Sequence, residues 1–165
     1  MSSVSVAQMV AVARAFQQEH VMHCFTGHVA VNYWGYHRAF SGLDILVTPN
    51  RLTLTGINRA LDKLGLPSDI KEKCLRMPMV RISNGSLWVD LYSRTNDGQW
   101  LTPSMIRWVS LGSQSIPIMR LAPLLAHVEA AASQYPDGEY ADALRQIMDI
   151  LRQEPRPLNP HRFLI

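Results

Sequence analysis

The run from Gly27 to Val47 constrains this chain most. It begins with a glycine, passes through His28-Val29-Ala30-Val31, and ends in the apolar stretch Leu43-Asp44-Ile45-Leu46-Val47. The first part suits a short helix over Gly27 to Trp34 and the last part a buried strand, with an arginine, Arg38, and a turn between them. An acid inside an apolar strand is costly unless something pairs with it or binds to it. Asp44 is therefore the first candidate for chemistry.

The remaining chain supplies the elements around that strand. Val6, Met9, Val10, Ala13 and Phe16 recur at helical spacing, with Ser5 in the capping position, and predict a helix near 4–19. Val21 to Phe25 is a short apolar run suited to a strand. Leu54, Ile57, Leu61 and Leu64 give a second helix its apolar face, stopped by Gly65 and Pro67. Ser68-Asp69-Ile70 predicts a further helical turn. Asn84-Gly85 between Met79–Ile82 and Leu87–Tyr92 is a strong hairpin signal. A second hairpin is expected from Ile106 to Met119 around Gly112-Ser113-Gln114-Ser115. Two amphipathic stripes follow, one on Leu121, Leu124, Leu125 and Val128, the other on Tyr140, Leu144, Ile147, Met148 and Leu151.

This order predicts an α+β fold, a mixed β-sheet packed by helices with a C-terminal helical pair. We expect an α/β core over 1–120, the helical pair over 121–154, and an extended tail over 155–165, where three prolines stand.

The chain has 165 residues, 47% of them hydrophobic, which suits a folded domain with a real core. Its net charge of +3 permits contact with nucleotides. No dense Lys/Arg patch supports RNA as a partner. Cys24 and Cys74 lack metal-type spacing and read as reduced thiols. His20, His23 and His37 lack the pairing of a zinc helix. No apolar stretch reaches membrane-spanning length and no signal core follows the N-terminus, so a cytoplasmic protein with no membrane partner is expected.

Side chains alternate across a strand, so Gly42 and Asp44 share one face. In the hairpin strand, Trp88, Asp90 and Tyr92 share one face, making Asp90 a second strand-borne acid. Neighbouring strands would bring Asp44 and Asp90 together at one edge of the sheet. The bland alternatives are Asp44 as a buried acid paired to Arg38 or to backbone N–H, and Asp90 as an exposed strand residue. Tyr33, Trp34 and Tyr36 are suited either to the core or to stacking on a base. His127 and Glu129 read as solvated helix positions.

The run Gly27 to Asp44 resembles the signature of the nucleotidyltransferase superfamily, of DNA polymerase beta-like fold, in its small bacterial branch related to abortive-infection toxins. The pattern there is Gly-Gly-x-Ala-Val-Asn-x-x-Gly-Tyr-x-Arg-x-Thr-x-Asp-x-Asp. Gly27, Ala30, Val31, Asn32, Gly35, Tyr36, Arg38 and Asp44 are retained. His28 replaces the second glycine, Phe40 the threonine, and Gly42 the first aspartate.

The resemblance implies phosphoryl chemistry in which paired metal ions, about 3.5–4 Å apart, clamp the attacking and leaving oxygens. Asp44 and Asp90 would be the catalytic and Mg²⁺-binding acids. Gly27, His28 and Arg38 would face a bound NTP, the helix start offering N–H groups to its phosphates. The lysine that often contacts phosphate in this branch has no counterpart at Ala126-His127-Val128.

With Gly42, one of three carboxylates is missing. The expectation is a degenerate site, weak or absent in transfer, in a protein acting as a binding or regulatory partner in bacterial defence or a toxin–antitoxin pair. The alternatives are an active Mg²⁺-dependent enzyme moving NMP from NTP to a protein or RNA acceptor, and a protein-interaction module without nucleotide. Restoring the acid by Gly42→Asp is expected to strengthen metal binding.

Overall fold

The computed structural model describes residues 3–153; the tail expected over 155–165 lies outside them. Helix α1 (Val6–Gln18) begins at a reciprocal cap. The Ser5 side chain accepts from the Gln8 backbone N–H, and the Gln8 side chain accepts from that of Ser5. Such a box satisfies donors that a helix start leaves without partners. Met9, Val12, Ala13 and Phe16 of α1 are buried.

Strand β1 (His23–Phe25), helix α2 (Gly27–Tyr33) and strand β2 (Gly42–Val47) follow. Helix α3 (Arg51–Lys63) is capped by the Asn50 side chain, which accepts from Thr53 N. It ends in a Schellman closure. Gly65 stands at φ +64°, Leu66 N donates to Leu61 O, and Gly65 N donates to Asp62 O.

The helical turn expected at Ser68-Asp69-Ile70 forms later, as α4 (Glu72–Leu75). The reason is Asn58 on α3. Its amide donates to Ile70 O and its carbonyl accepts from Ile70 N, both at 3.0 Å. The Ile70 backbone is thus committed to α3 and starts no helix.

The first hairpin is β3 (Met79–Ser83) and β4 (Trp88–Tyr92); the second is β5 (Ile106–Leu111) and β6 (Gln114–Met119). The second turn is tighter than expected, with Gly112 at φ +61° in it. Helices α5 (Leu121–Gln134) and α6 (Glu139–Arg152) complete the described chain.

The strands form one six-stranded mixed sheet in the order β3-β4-β2-β1-β6-β5. The hairpins lie at its two ends and β2 and β1 at its centre. β2 pairs parallel with β4 and antiparallel with β1, while β1 pairs parallel with β6. Phe25, Leu43, Ile45, Leu46, Ile116 and Ile118 are fully buried in the core. Leu124, Val128, Leu144 and Leu151 join the same core cluster, so the C-terminal helical pair shares it. Among the described residues no helix is long and apolar enough to cross a membrane.

Candidate functional site

The parallel register of β2 and β4 sets the site. Asp44 stands opposite Asp90, and Gly42 opposite Trp88. Neighbouring strands lie about 4.8 Å apart, so the two acids are side by side. β3 extends the row, with Arg81 opposite Asp90 and Ser83 opposite Trp88. Arg81, Asp90 and Asp44 thus form one line across three strands.

Two like charges at this spacing repel, and each has a basic partner. Arg81 holds Asp90 through a bidentate fork, Nε to Oδ1 and Nη2 to Oδ2, both at 2.7 Å. Asp90 is only 5% exposed. Its carboxylate raises the Arg81 pKa and keeps the guanidinium charged. The Arg81 guanidinium also lies 4.8 Å from the Trp88 ring centroid, a cation–π contact. Arg81 is the residue that reading the sequence missed. Asn84-Gly85 read as a two-residue turn would have set Arg81 opposite Trp88; the loop runs over 84–87, and that wider closure puts Arg81 opposite Asp90, which the sequence pattern did not signal.

Asp44 is held by His28, through its backbone N–H and its ring, rather than by Arg38. Its Oδ2 accepts from His28 N at 3.1 Å and from His28 Nδ1 at 3.3 Å. The hydrogen bond to Asp44 raises the His28 pKa, helped by the charges of Asp44 and Asp90 and opposed by desolvation. The N-cap residue Thr26 makes no side-chain cap, so Asp44 meets an unpartnered N–H at the start of α2. The N–H that the resemblance assigned to a phosphate is thereby given to the protein's own acid. Gly27 permits this approach. Its φ is +49°, and a Cβ there would fall into the Asp44 carboxylate. Arg38 instead stacks on Tyr36, 5.2 Å from the ring centroid, and its carbonyl accepts from Asn32 Nδ2 at 2.6 Å.

The space beside Gly42, where the resemblance places an acid, is filled. A Cβ on Gly42 would collide with the Trp88 indole at Nε1 and Cδ1. The expected gain from Gly42→Asp therefore lacks the space it needs, because the tryptophan has taken it.

Two clefts adjoin the acids. One, of about 340 Å³, is lined by His28, Phe40, Asp44, Arg81, Trp88 and Asp90 among others. The other, of about 270 Å³, runs from Asp44 towards the C-terminal helices past Tyr36, Arg38, Tyr92, His127 and Tyr140. His127 is buried, not solvated as its sequence position suggested. Its Nδ1 accepts from Asn96 N at 2.8 Å, and burial lowers its pKa. Burial and the charges of Asp44 and Asp90 raise the pKa of Tyr92. Tyr33 and Trp34 are core residues, with Trp34 Nε1 donating to Met119 O at 2.9 Å. Cys24 is a buried thiol whose pKa burial raises to about 12. Among the described residues no group of three His, Cys, Asp or Glu side chains is placed to hold a metal ion.

No family model matches the sequence, and no curated protein matches it. Among solved structures, the chain is similar to an antigenic nucleotidyltransferase-like protein from Paracoccidioides brasiliensis. The identity is 10%, the TM-score 0.56, and the match covers 91% of this chain and 78% of that one. It is also similar to the lincosamide antibiotic adenylyltransferase LnuA in its lincomycin-bound form. There the identity is 13%, the TM-score 0.58, and the match covers 92% of this chain and 98% of that one. This protein has the nucleotidyltransferase fold.

Proposed function

We propose that this protein is a nucleotidyltransferase-fold binding protein with a degenerate catalytic site, acting as a binding or regulatory partner. One observation carries the proposal: the space of the missing acid at Gly42 is occupied by Trp88. A lost carboxylate with a vacant seat would be one substitution from repair. A seat filled by an indole belongs to a repacked site.

The remaining donors do not fit a paired-metal centre. Asp44 and Asp90 are two acids where the fold's chemistry calls for a cluster, and Asp90 is already neutralised by Arg81. Mg²⁺ is held by one or two carboxylates with water and phosphate, and with Arg81 on Asp90 and His28 on Asp44 this pair has no carboxylate without a partner to offer two ions. Nucleotide contact on this reading is residual. Gly27 and His28 sit beside Asp44, and Arg38 lines the neighbouring cleft. The setting of bacterial defence or a toxin–antitoxin pair comes from the resemblance of the Gly27–Asp44 run.

The test is transfer of label from radiolabelled NTPs to protein and RNA acceptors, with Mg²⁺ or Mn²⁺. The expected result is none, unchanged by Asp44→Ala. Transfer that Asp44→Ala abolishes would overturn the proposal. A thermal melt complements it, since a ligand of the folded state raises the melting temperature by mass action. Nucleotide without metal is expected to give the same small shift as nucleotide with metal.

A second reading, an active transferase, draws on the register of Asp44 with Asp90. It requires Arg81 to release Asp90 and Trp88 to leave Gly42, and metal-dependent transfer is its signature in the same assay.

A further inference from the structure

We infer that Arg81 is the resident cation of this site: its guanidinium takes the place beside Asp90 that a divalent ion would need and keeps such ions out. The inference rests on the reading of the site as degenerate and names what holds it so.

Three contacts make the arrangement a unit. Gly42 leaves space beside β4, and Trp88 enters it. The Trp88 face, 4.8 Å away, supports the Arg81 guanidinium. Arg81 in turn engages both oxygens of Asp90 at 2.7 Å. A planar fork matched to a carboxylate and stacked on an aromatic ring is a role arginine fills and lysine does not. A dication within bonding distance of Asp90 would sit against a fixed positive charge in a partly desolvated cleft, where screening is weak. That leaves Asp44, itself bonded to His28, as the acid of the pair without an arginine.

Arg81 is itself half exposed, its side chain 55% accessible, while the Asp90 side chain is 7% accessible. The guanidinium thus covers most of Asp90 where it lines the cleft. Two of its five N–H donors are used by Asp90, which leaves the others for whatever the cleft binds.

The experiment is Mn²⁺ binding by electron paramagnetic resonance and calorimetry, on wild type, Arg81→Met and Asp90→Asn. Wild type and Asp90→Asn are expected to bind no Mn²⁺ at millimolar concentration. Arg81→Met is expected to gain affinity at least tenfold over wild type, with a rise in melting temperature on adding Mn²⁺. Should Arg81→Met fail to fold, Asp90→Asn decides: wild-type binding that this variant abolishes overturns the inference, and its absence in both supports it. A folded Arg81→Met without any gain also overturns it, and leaves the degenerate-site proposal standing if transfer is absent. Transfer by the wild type overturns that proposal separately.

Discussion

At the scale of the residue, the site turns on what fills the space beside a glycine. Gly42 admits the indole of Trp88, so adding a side chain there overpacks a filled volume. Gly42→Asp is expected to lower stability by about 1–3 kcal/mol, the usual range for overpacking, with no gain in Mn²⁺ affinity. Urea denaturation and calorimetry check the two halves. Gly27 carries a different constraint. At φ +49° against the Asp44 carboxylate it is both left-handed and crowded. Gly27→Ala is expected to cost at least about 1–2 kcal/mol, the penalty of a left-handed L-residue, also read by urea denaturation. Removing either partner of the Arg81–Asp90 pair has unequal effects. Arg81→Met leaves a carboxylate buried without its counter-ion, whereas Asp90→Asn leaves a guanidinium that still reaches water. The former is expected to be the more destabilising, by up to about 3 kcal/mol, in parallel urea titrations.

At the scale of the element, side chains decide where helices begin. The reciprocal cap of Ser5 and Gln8 sets the start of α1, and the Schellman closure at Gly65 sets the end of α3. Both were legible because capping depends on residues within a few positions. The start of α4 was not, because Asn58 reaches Ile70 across twelve positions. Asn58→Ala removes both bonds and leaves the Ile70 N–H and carbonyl without them. A loss of about 1–3 kcal/mol is expected, the cost of an unsatisfied buried group. Faster amide exchange at Ile70 is expected with it.

At the scale of the whole molecule, buried histidines make stability depend on pH. His23 lies in the core beside Phe16 and Phe25, and desolvation lowers its pKa to about 4. The unfolded chain takes up a proton near its ordinary value of about 6.5, the folded chain only near 4. Stability therefore falls as pH drops through that window, by about 2 kcal/mol at about pH 5 from this residue. His127, also lowered by burial, acts in the same direction. His28 acts in the opposite one. Its raised pKa contributes stability that is present below about 6.5 and lost as pH rises through the folded value. His23→Leu is expected to flatten the loss between neutral pH and about pH 5 by about that amount, measured by denaturation at each pH. Because α5 and α6 share core residues with the sheet, their helicity and the near-ultraviolet signal are expected to melt in one transition.

The sequence by itself determined the elements and the two acids. Hydrophobic periods of two and near four, caps and the Asn84-Gly85 turn are local patterns, and each formed close to where it was written. The alternation that puts Gly42 with Asp44 on one face, and Trp88 with Asp90 on another, is equally local. Tertiary structure decided which residues meet. The parallel register of β2 with β4 joined Asp44 to Asp90 and Gly42 to Trp88, and the hairpin carried Arg81 to the same row. Of the partners open to Asp44, Arg38 six positions away or a backbone N–H, the packing of α2 selected the N–H and ring of His28. A missing side chain is visible in one strand, but its replacement comes from another, and only strand pairing assigns one to the other.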